Sequence, residues 1–135
     1  MQELWGSNVF VYLSKGLDAA AMRQNVHANN LSNVNTPNFK RSAVQFEELL
    51  KNTAVGVKRL AATSPGHIGR NHSRETPDAR TVTDTNTSMR SDGNNVDVDK
   101  EMAELAINQL YYNALSQRLS GKLGTLRYVI SEGRR

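Results

Sequence analysis

His67 and His72 stand near Asp78 and Asp84 in a polar stretch, and imidazole with carboxylate is the donor chemistry of a metal site. Their spacing matches no rigid helical face, so they would ligate only if the stretch folded around an ion. No metal or cofactor is therefore expected. His27 falls on an amphipathic helical face, where a satisfied interface histidine is the simpler reading. Arg70, Arg74, Arg80 and Arg90 bias the same polar stretch towards phosphate contacts. Glu75, Asp78, Asp84 and Asp92 interleave with them, and no aromatic platform accompanies them, so a solvated arm is the plainer account and no nucleic-acid partner is expected. The sequence holds no Gly-rich phosphate loop, no serine elbow and no carboxylate pair on a rigid element, so it is not expected to be an enzyme.

Composition narrows the class further. The 135 residues suit one domain, residues 1–135, with 38% hydrophobic and 6% aromatic side chains. A mean hydropathy of -0.57 is lean for a chain that must bury its own core, so a partner surface is expected to complete it. The net charge of +4 arises from scattered residues rather than a basic run. Cysteine is absent, which removes disulfide and thiolate chemistry. No apolar run is long enough for a membrane span, and Met1 to Phe10 lack the basic start and apolar stretch of a cleaved signal.

The elements that must position any site lie at the two ends. From about Leu4 to Leu31 there is no proline, and Phe10, Leu13, Leu17, Ala20, Gln24, His27 and Leu31 keep a 3,4 spacing. This predicts an amphipathic helix, with residues 1–36 holding the helix and the turn after it. The run Asn29 to Asn38 stops it, because Asn, Ser and Thr side chains compete for backbone bonds and Pro37 forces Thr36 out of the helical region. Residues 37–95 are read as a short helix around Val44, Phe46, Leu49 and Leu50, then an extended arm with Pro65 and Pro77. Thr81, Thr83, Thr85 and Thr87 alternate, as in a strand polar on both faces. Asp92-Gly93-Asn94-Asn95 reads as a turn, followed in residues 96–135 by a helix from about Val96 to Ile130, roughly 50 Å long. Along it Met102, Leu105, Gln109, Tyr112, Ser116, Leu119, Leu123, Leu126 and Ile130 form a 3,4-spaced seam that asks for a helical partner. Gly121 and Gly124 weaken that helix, either as tolerated glycines or because another backbone approaches there. The expected fold is mainly α: two long terminal helices packed as an elongated coiled-coil-like pair, joined by a short helix and a polar extended arm with little strand.

The segment Ala28-Asn29-Asn30-Leu31-Ser32-Asn33-Val34-Asn35-Thr36-Pro37-Asn38-Phe39-Lys40 resembles the signature of the flagellar rod and hook family. Its members carry Ala-Asn-Asn-Leu-Ala-Asn, two variable residues, then Thr-Pro-Gly-Phe/Tyr-Lys. Ser32 replaces the usual Ala and Asn38 the usual Gly, and Asn is the non-glycine residue most tolerant of left-handed angles. The short length, Thr63-Ser64-Pro65-Gly66-His67-Ile68 and Asp92-Gly93-Asn94-Asn95-Val96-Asp97 look like a proximal-rod member. A second short rod type usually has an Arg-Ala-Tyr-Gln-Ala-Asn-like run in its last helix, where this chain has Leu110-Tyr111-Tyr112-Asn113-Ala114-Leu115.

The resemblance implies a structural subunit of the flagellar basal body, exported unfolded through the type III apparatus without a cleaved signal. Its implied partners are copies of itself, other rod proteins, the ring-to-rod adaptor and the export apparatus. Turn chemistry makes Ala28, Asn29, Asn30, Leu31, Asn33, Thr36, Pro37 and Phe39 the candidate assembly motif: asparagines to bond the last helical carbonyls or a neighbour, Thr36-Pro37 to fix the exit, Phe39 as an apolar anchor. An ordinary helix stop is the alternative for those residues. For the whole chain, the alternatives are a basic helical nucleic-acid-binding protein or a soluble coiled-coil dimer.

Overall fold

A computed structural model of the chain describes residues 7–54 and 78–131. The element order is α1 (Ser7–Ser32), β1 (Ser42–Gln45), α2 (Glu47–Ala54), β2 (Arg80–Thr83) and α3 (Val98–Ile130). His67, His72, Arg70, Arg74 and the Thr63–Ile68 stretch lie outside the described residues.

The two long helices pack against each other, as the periodicity predicts. They run antiparallel: His27 meets Glu101, the carbonyl of Ala20 meets Asn108, and Gly16 meets Leu115. A Cβ on Gly16 would lie 3.1 Å from Leu115 Cδ1, so the leucine packs tightly over the glycine here. At Gly121 and Gly124 nothing within the described chain comes within 4 Å. α3 starts at Asp97, whose carboxylate accepts from the backbone N–H groups of Asp99 at 3.0 Å and Lys100 at 3.3 Å, satisfying donors that the first turn leaves free. Asp99 and Glu101 in that turn complement the helix dipole.

Val44, expected in the short helix, lies instead in β1, paired with Thr81 of β2 in an antiparallel ladder that also joins Ser42 to Thr83. A β-branched residue beside a polar threonine fits that half-covered ribbon, and α2 begins only after buried Phe46. Thr81 and Thr83 share one strand face as expected, but the strand stops at Thr83. Asp84 ends it by accepting from the backbone N–H of Asn86 at 3.0 Å and the hydroxyl of Thr87 at 2.8 Å. This Asx turn leaves Thr85 and Thr87 outside the ladder.

The turn at Asp92-Gly93 closes against the end of the α1 motif. Asn38 N–H donates to the carbonyl of Asp92 at 2.9 Å, and both Asn38 (φ 60°) and Gly93 (φ 81°) are left-handed. A Cβ on Gly93 would sit 2.6 Å from Asn38 Oδ1. Gly93→Ala is therefore expected to destabilise the chain by about 1–3 kcal/mol in denaturant titrations, through backbone strain and a clash together. Asn38→Gly, which relieves the same strain on the other side, should be close to neutral.

Candidate functional site

The buried interior is unusually polar. Ala19, Ala20, Phe46 and Val96 are its buried hydrophobic residues among those described, against buried His27, Asn30, Asn94, Asn95, Glu101 and Asn108. Hydrophobic burial on that scale leaves much of the geometry to hydrogen bonds.

Glu101 is the centre. It lies one turn into α3, is 1% exposed, and carries its carboxylate into the space between the end of α1 and the start of β1. Oε2 accepts from His27 Nδ1 at 2.6 Å and from Asn30 Nδ2 at 3.1 Å, while Oε1 accepts from Arg41 Nε. With Glu101 ionised, His27 Nδ1 carries the shared proton. The Arg41 guanidinium also donates to Glu104, so one cation bridges two carboxylates a helical turn apart. Asn30 faces Ser42 as a strand would, donating to its carbonyl at 2.8 Å and accepting its N–H at 3.0 Å. Helix α1, the chain entering β1 and helix α3 are thereby joined at one point.

A second asparagine pair extends the junction. Asn94 Nδ2 donates to the carbonyls of Asn33, Val34 and Thr36, at 3.1, 3.1 and 2.9 Å, while its Oδ1 accepts Val96 N–H at 2.8 Å. These carbonyls belong to the turn after α1, where those of Asn33 and Thr36 also accept the N–H groups of Thr36 and Phe39 and that of Val34 accepts Arg90, so a side chain from the far end of the chain fastens the turn. Asn95 Oδ1 accepts the backbone N–H of Arg41 at 2.6 Å, and its Nδ2 donates to Asp84 O at 2.9 Å and Thr87 Oγ1 at 2.8 Å. Lys40 Nζ donates to the carbonyls of Thr87 and Gly93, both at 2.8 Å.

The motif residues therefore divide by environment. Asn30 is fully buried in the junction; Leu31, Asn33 and Phe39 are half-buried; Ala28, Asn29, Thr36 and Pro37 are exposed. Asn33 Nδ2 donates to the carbonyl of Asn29 at 2.8 Å, and Thr36 Oγ1 to Asn33 Oδ1 at 3.2 Å. On α3, Leu105, Ser116, Leu119 and Leu126 are half-buried, whereas Met102, Gln109, Tyr112, Leu123 and Ile130 are exposed. The positions that α1 buries most completely are Glu101 and Asn108, one heptad apart, and the sequence reading missed both. It also missed Arg41, and it read Asn94 and Asn95 only as part of a turn. Asp78 pairs with Lys15 at 2.6 Å and Asp84 holds its own turn, so neither stands in a metal set among the described residues. Arg90 donates to the carbonyl of Val34 at 2.9 Å, a structural contact rather than a free phosphate ligand.

His27, Glu101 and Glu104 each bring a potential ligand atom within 4.8 Å of the others. Arg41 already bonds both carboxylates, so a metal ion would have to displace a paired guanidinium from a closed cluster. The arrangement joins secondary-structure elements, and nothing in it sets a nucleophile or base against an open space.

Burial pushes the Glu101 carboxyl up, but hydrogen bonds from His27, Asn30 and Arg41, with the Arg41 charge, outweigh it and hold the group below its ordinary value of 4.5. A depressed carboxyl contributes stability that is fully present above the unfolded value and is lost as pH falls through the folded one. Melting temperature should therefore decline below about pH 4.5, and Glu101→Gln should flatten that decline. Glu47, whose carboxyl is lowered chiefly by its bond from Arg23, contributes in the same direction and sets the residual slope.

A long antiparallel helix pair, knotted where an asparagine-rich helix end meets the start of the second helix, is here the frame of a flagellar basal body rod protein: residues 13–40 match the family described as flagella basal body rod protein. The flagellar basal body rod protein FlgB of Bacillus subtilis (strain 168) is 38% identical over 90% of this chain and 92% of its own length. FlgB of Borreliella burgdorferi is 33% identical over 74% of this chain and 78% of its own, and that of Escherichia coli K12 is 30% identical over 90% and 92%. The chain belongs to the FlgB family of flagellar basal body rod proteins. It is a structural component of the basal body rod, associated with other rod components, and not an enzyme. No helix among the described residues is long and apolar enough to cross a membrane.

Proposed function

We propose that this chain is a proximal-rod subunit, a single domain over residues 1–135 whose terminal helices pack against neighbouring subunits to form the wall of a tubular drive shaft. One observation carries the reading. On α3, Ile107 and Leu110 are 66% and 70% exposed, off the Glu101, Asn108 and Leu115 line that meets α1; Met102 is exposed beside that line, and Tyr128 and Ile130 are exposed past the described start of α1. A helix apolar on both sides of its intrachain contact is built to be covered again. Neighbouring copies and other rod proteins are the partners that supply the cover; the ring-to-rod adaptor and the export apparatus are the further partners at the base. The motif residues Ala28, Asn29, Thr36 and Pro37 present an exposed helix end to those neighbours, while Asn30 holds it in place from inside.

Ile107→Glu with Leu110→Glu tests this directly. Both side chains face away from the chain's own contacts, so the melting curve should shift by no more than about 0.5 kcal/mol. The variant should nevertheless fail to restore motility to cells lacking their own copy of the rod protein. Wild-type swimming would remove the proposal. Salt-sensitive DNA binding by the intact chain would instead favour the basic helical reading.

A further inference from the structure

Where α1 meets α3, the most deeply buried positions of α3 are polar. Asn108 is 6% exposed; its Nδ2 donates to the carbonyl of Ala20 at 2.9 Å, and its Oδ1 is buried without a hydrogen-bond partner. A half-satisfied buried amide is less favourable than a leucine of similar volume, so stability does not account for it. Glu101 precedes Asn108 by one heptad, and on the antiparallel α1 His27 follows Ala20 by one heptad. The carboxylate match to His27 and Asn30 is made in one alignment only, and in that alignment Asn108 falls opposite the small, fully buried Ala20, where its amide reaches the backbone. A slide of seven residues one way sets the Glu101 carboxylate against Ala20 and Asn108 against Leu13. The opposite slide sets Asn108 against His27 and carries Glu101 opposite Val34, beyond the end of α1. Either slide strips Glu101 of His27 and Asn30, and moves Leu115 from Gly16 to Val9 or Arg23.

We infer that Glu101 and Asn108 are register pins: paired polar positions that reduce the stability of the α1–α3 contact and in return allow it a single alignment. A buried asparagine in a coiled-coil seam has this effect, fixing register at a cost in stability. For a helix apolar on both sides, one fixed internal register determines where every outward-facing apolar residue is presented. The inference rests on the helix pair of this chain and stands or falls independently of the rod reading.

The chain has no cysteine, so engineered pairs report without background. In the purified full-length protein, Gly16→Cys with Leu115→Cys reports the observed register, and Val9→Cys with Leu115→Cys reports a one-heptad slide. With both pins present, only the first pair should form an intrachain disulfide. With Glu101→Leu and Asn108→Leu added, both polar heptad positions become leucine, and the yield of the slid pair should rise about tenfold. Cross-linking of the observed register alone in the double-leucine chain overturns the inference, as does a pinned chain that cross-links in both registers or in neither. Should the double-leucine chain form neither product, Asn108→Leu alone decides: a raised melting temperature supports a pin, and a lowered one shows an ordinary stabilising hydrogen bond.

Discussion

Glu101→Ala is expected to destabilise the folded chain by about 3–5 kcal/mol, the cost of removing one partner from a buried, hydrogen-bonded ion cluster. The substitution leaves the Arg41 guanidinium with Glu104 alone, and strips His27 Nδ1 and one Asn30 bond of their acceptor. Against a total stability of about 5–15 kcal/mol for a typical domain, a loss of this size removes much of the folded population. Circular dichroism at 25 °C should show lost helix, and the variant should not restore motility. Glu101→Gln keeps the shape and some of the bonds, so its loss should be clearly smaller. Equal effects from the two would mean that charge pairing with Arg41 dominates and the hydrogen-bond geometry contributes little.

The cluster also explains how the described residues, with so few buried hydrophobic side chains among them, hold a defined arrangement. The apolar residues of α3 are distributed around the helix and many are exposed, so they do not by themselves specify the intrachain contact. Specification passes to directional bonds, which lose their energy over a fraction of an ångström where a greasy contact does not. Arg41, Asn30 and Asn95 each bond to two or more chain segments, so the junction forms as a unit.

This division of labour marks what could be read from the sequence. Both terminal helices were legible because proline-free, 3,4-spaced apolar series have one good solution, and the Asp92-Gly93-Asn94-Asn95 turn put the start of the last helix at about Val96, two residues before α3 begins. The junction was not legible. An apolar series finds Met102, Leu105 and Leu119 but passes over a stripe whose members are Glu101 and Asn108, since a polar residue in a buried heptad position looks like a solvated one. Asp97, Asp99, Glu101 and Glu104 are alike in sequence; only the fold shows that Glu101 faces His27 and Asn30. The one available hint was the pairing of His27 with Asn30, three residues apart on one helical face, a polar patch that needed a partner of opposite character. The β1–β2 ribbon was half legible: the alternating threonines predicted an extended segment, but its partner Val44 looked helical beside Glu47 and Glu48 because local propensity does not see a strand that returns from residue 80.

Asn94→Asp should be more damaging than Asn94→Ala, although aspartate is nearly the same size and shape as asparagine. The native amide nitrogen faces the three carbonyls of Asn33, Val34 and Thr36, and the amide oxygen takes Val96 N–H, so each end of the group has one polarity to satisfy. Alanine takes one bond from each carbonyl and removes the acceptor of Val96 N–H, at a cost of about 1–3 kcal/mol. Ionised aspartate adds an acceptor where only acceptors stand, and buries a negative charge against the carbonyl end of α1, where the helix dipole is itself negative. The loss in denaturant titrations at neutral pH should therefore exceed the alanine value by about 1–2 kcal/mol. The sign of the pH dependence is the sharper test. Burial and the facing carbonyls raise the new carboxyl above the ordinary aspartate range in the folded state, so acidification protonates it, restores one donor and recovers stability. Between neutral pH and the onset of Glu101 protonation, the aspartate variant should gain stability as the native chain holds level, and the alanine variant should follow the native chain. An aspartate variant as stable as the native chain at neutral pH would mean that the other donors and water already satisfy those carbonyls and that Asn94 does not fasten the turn after α1.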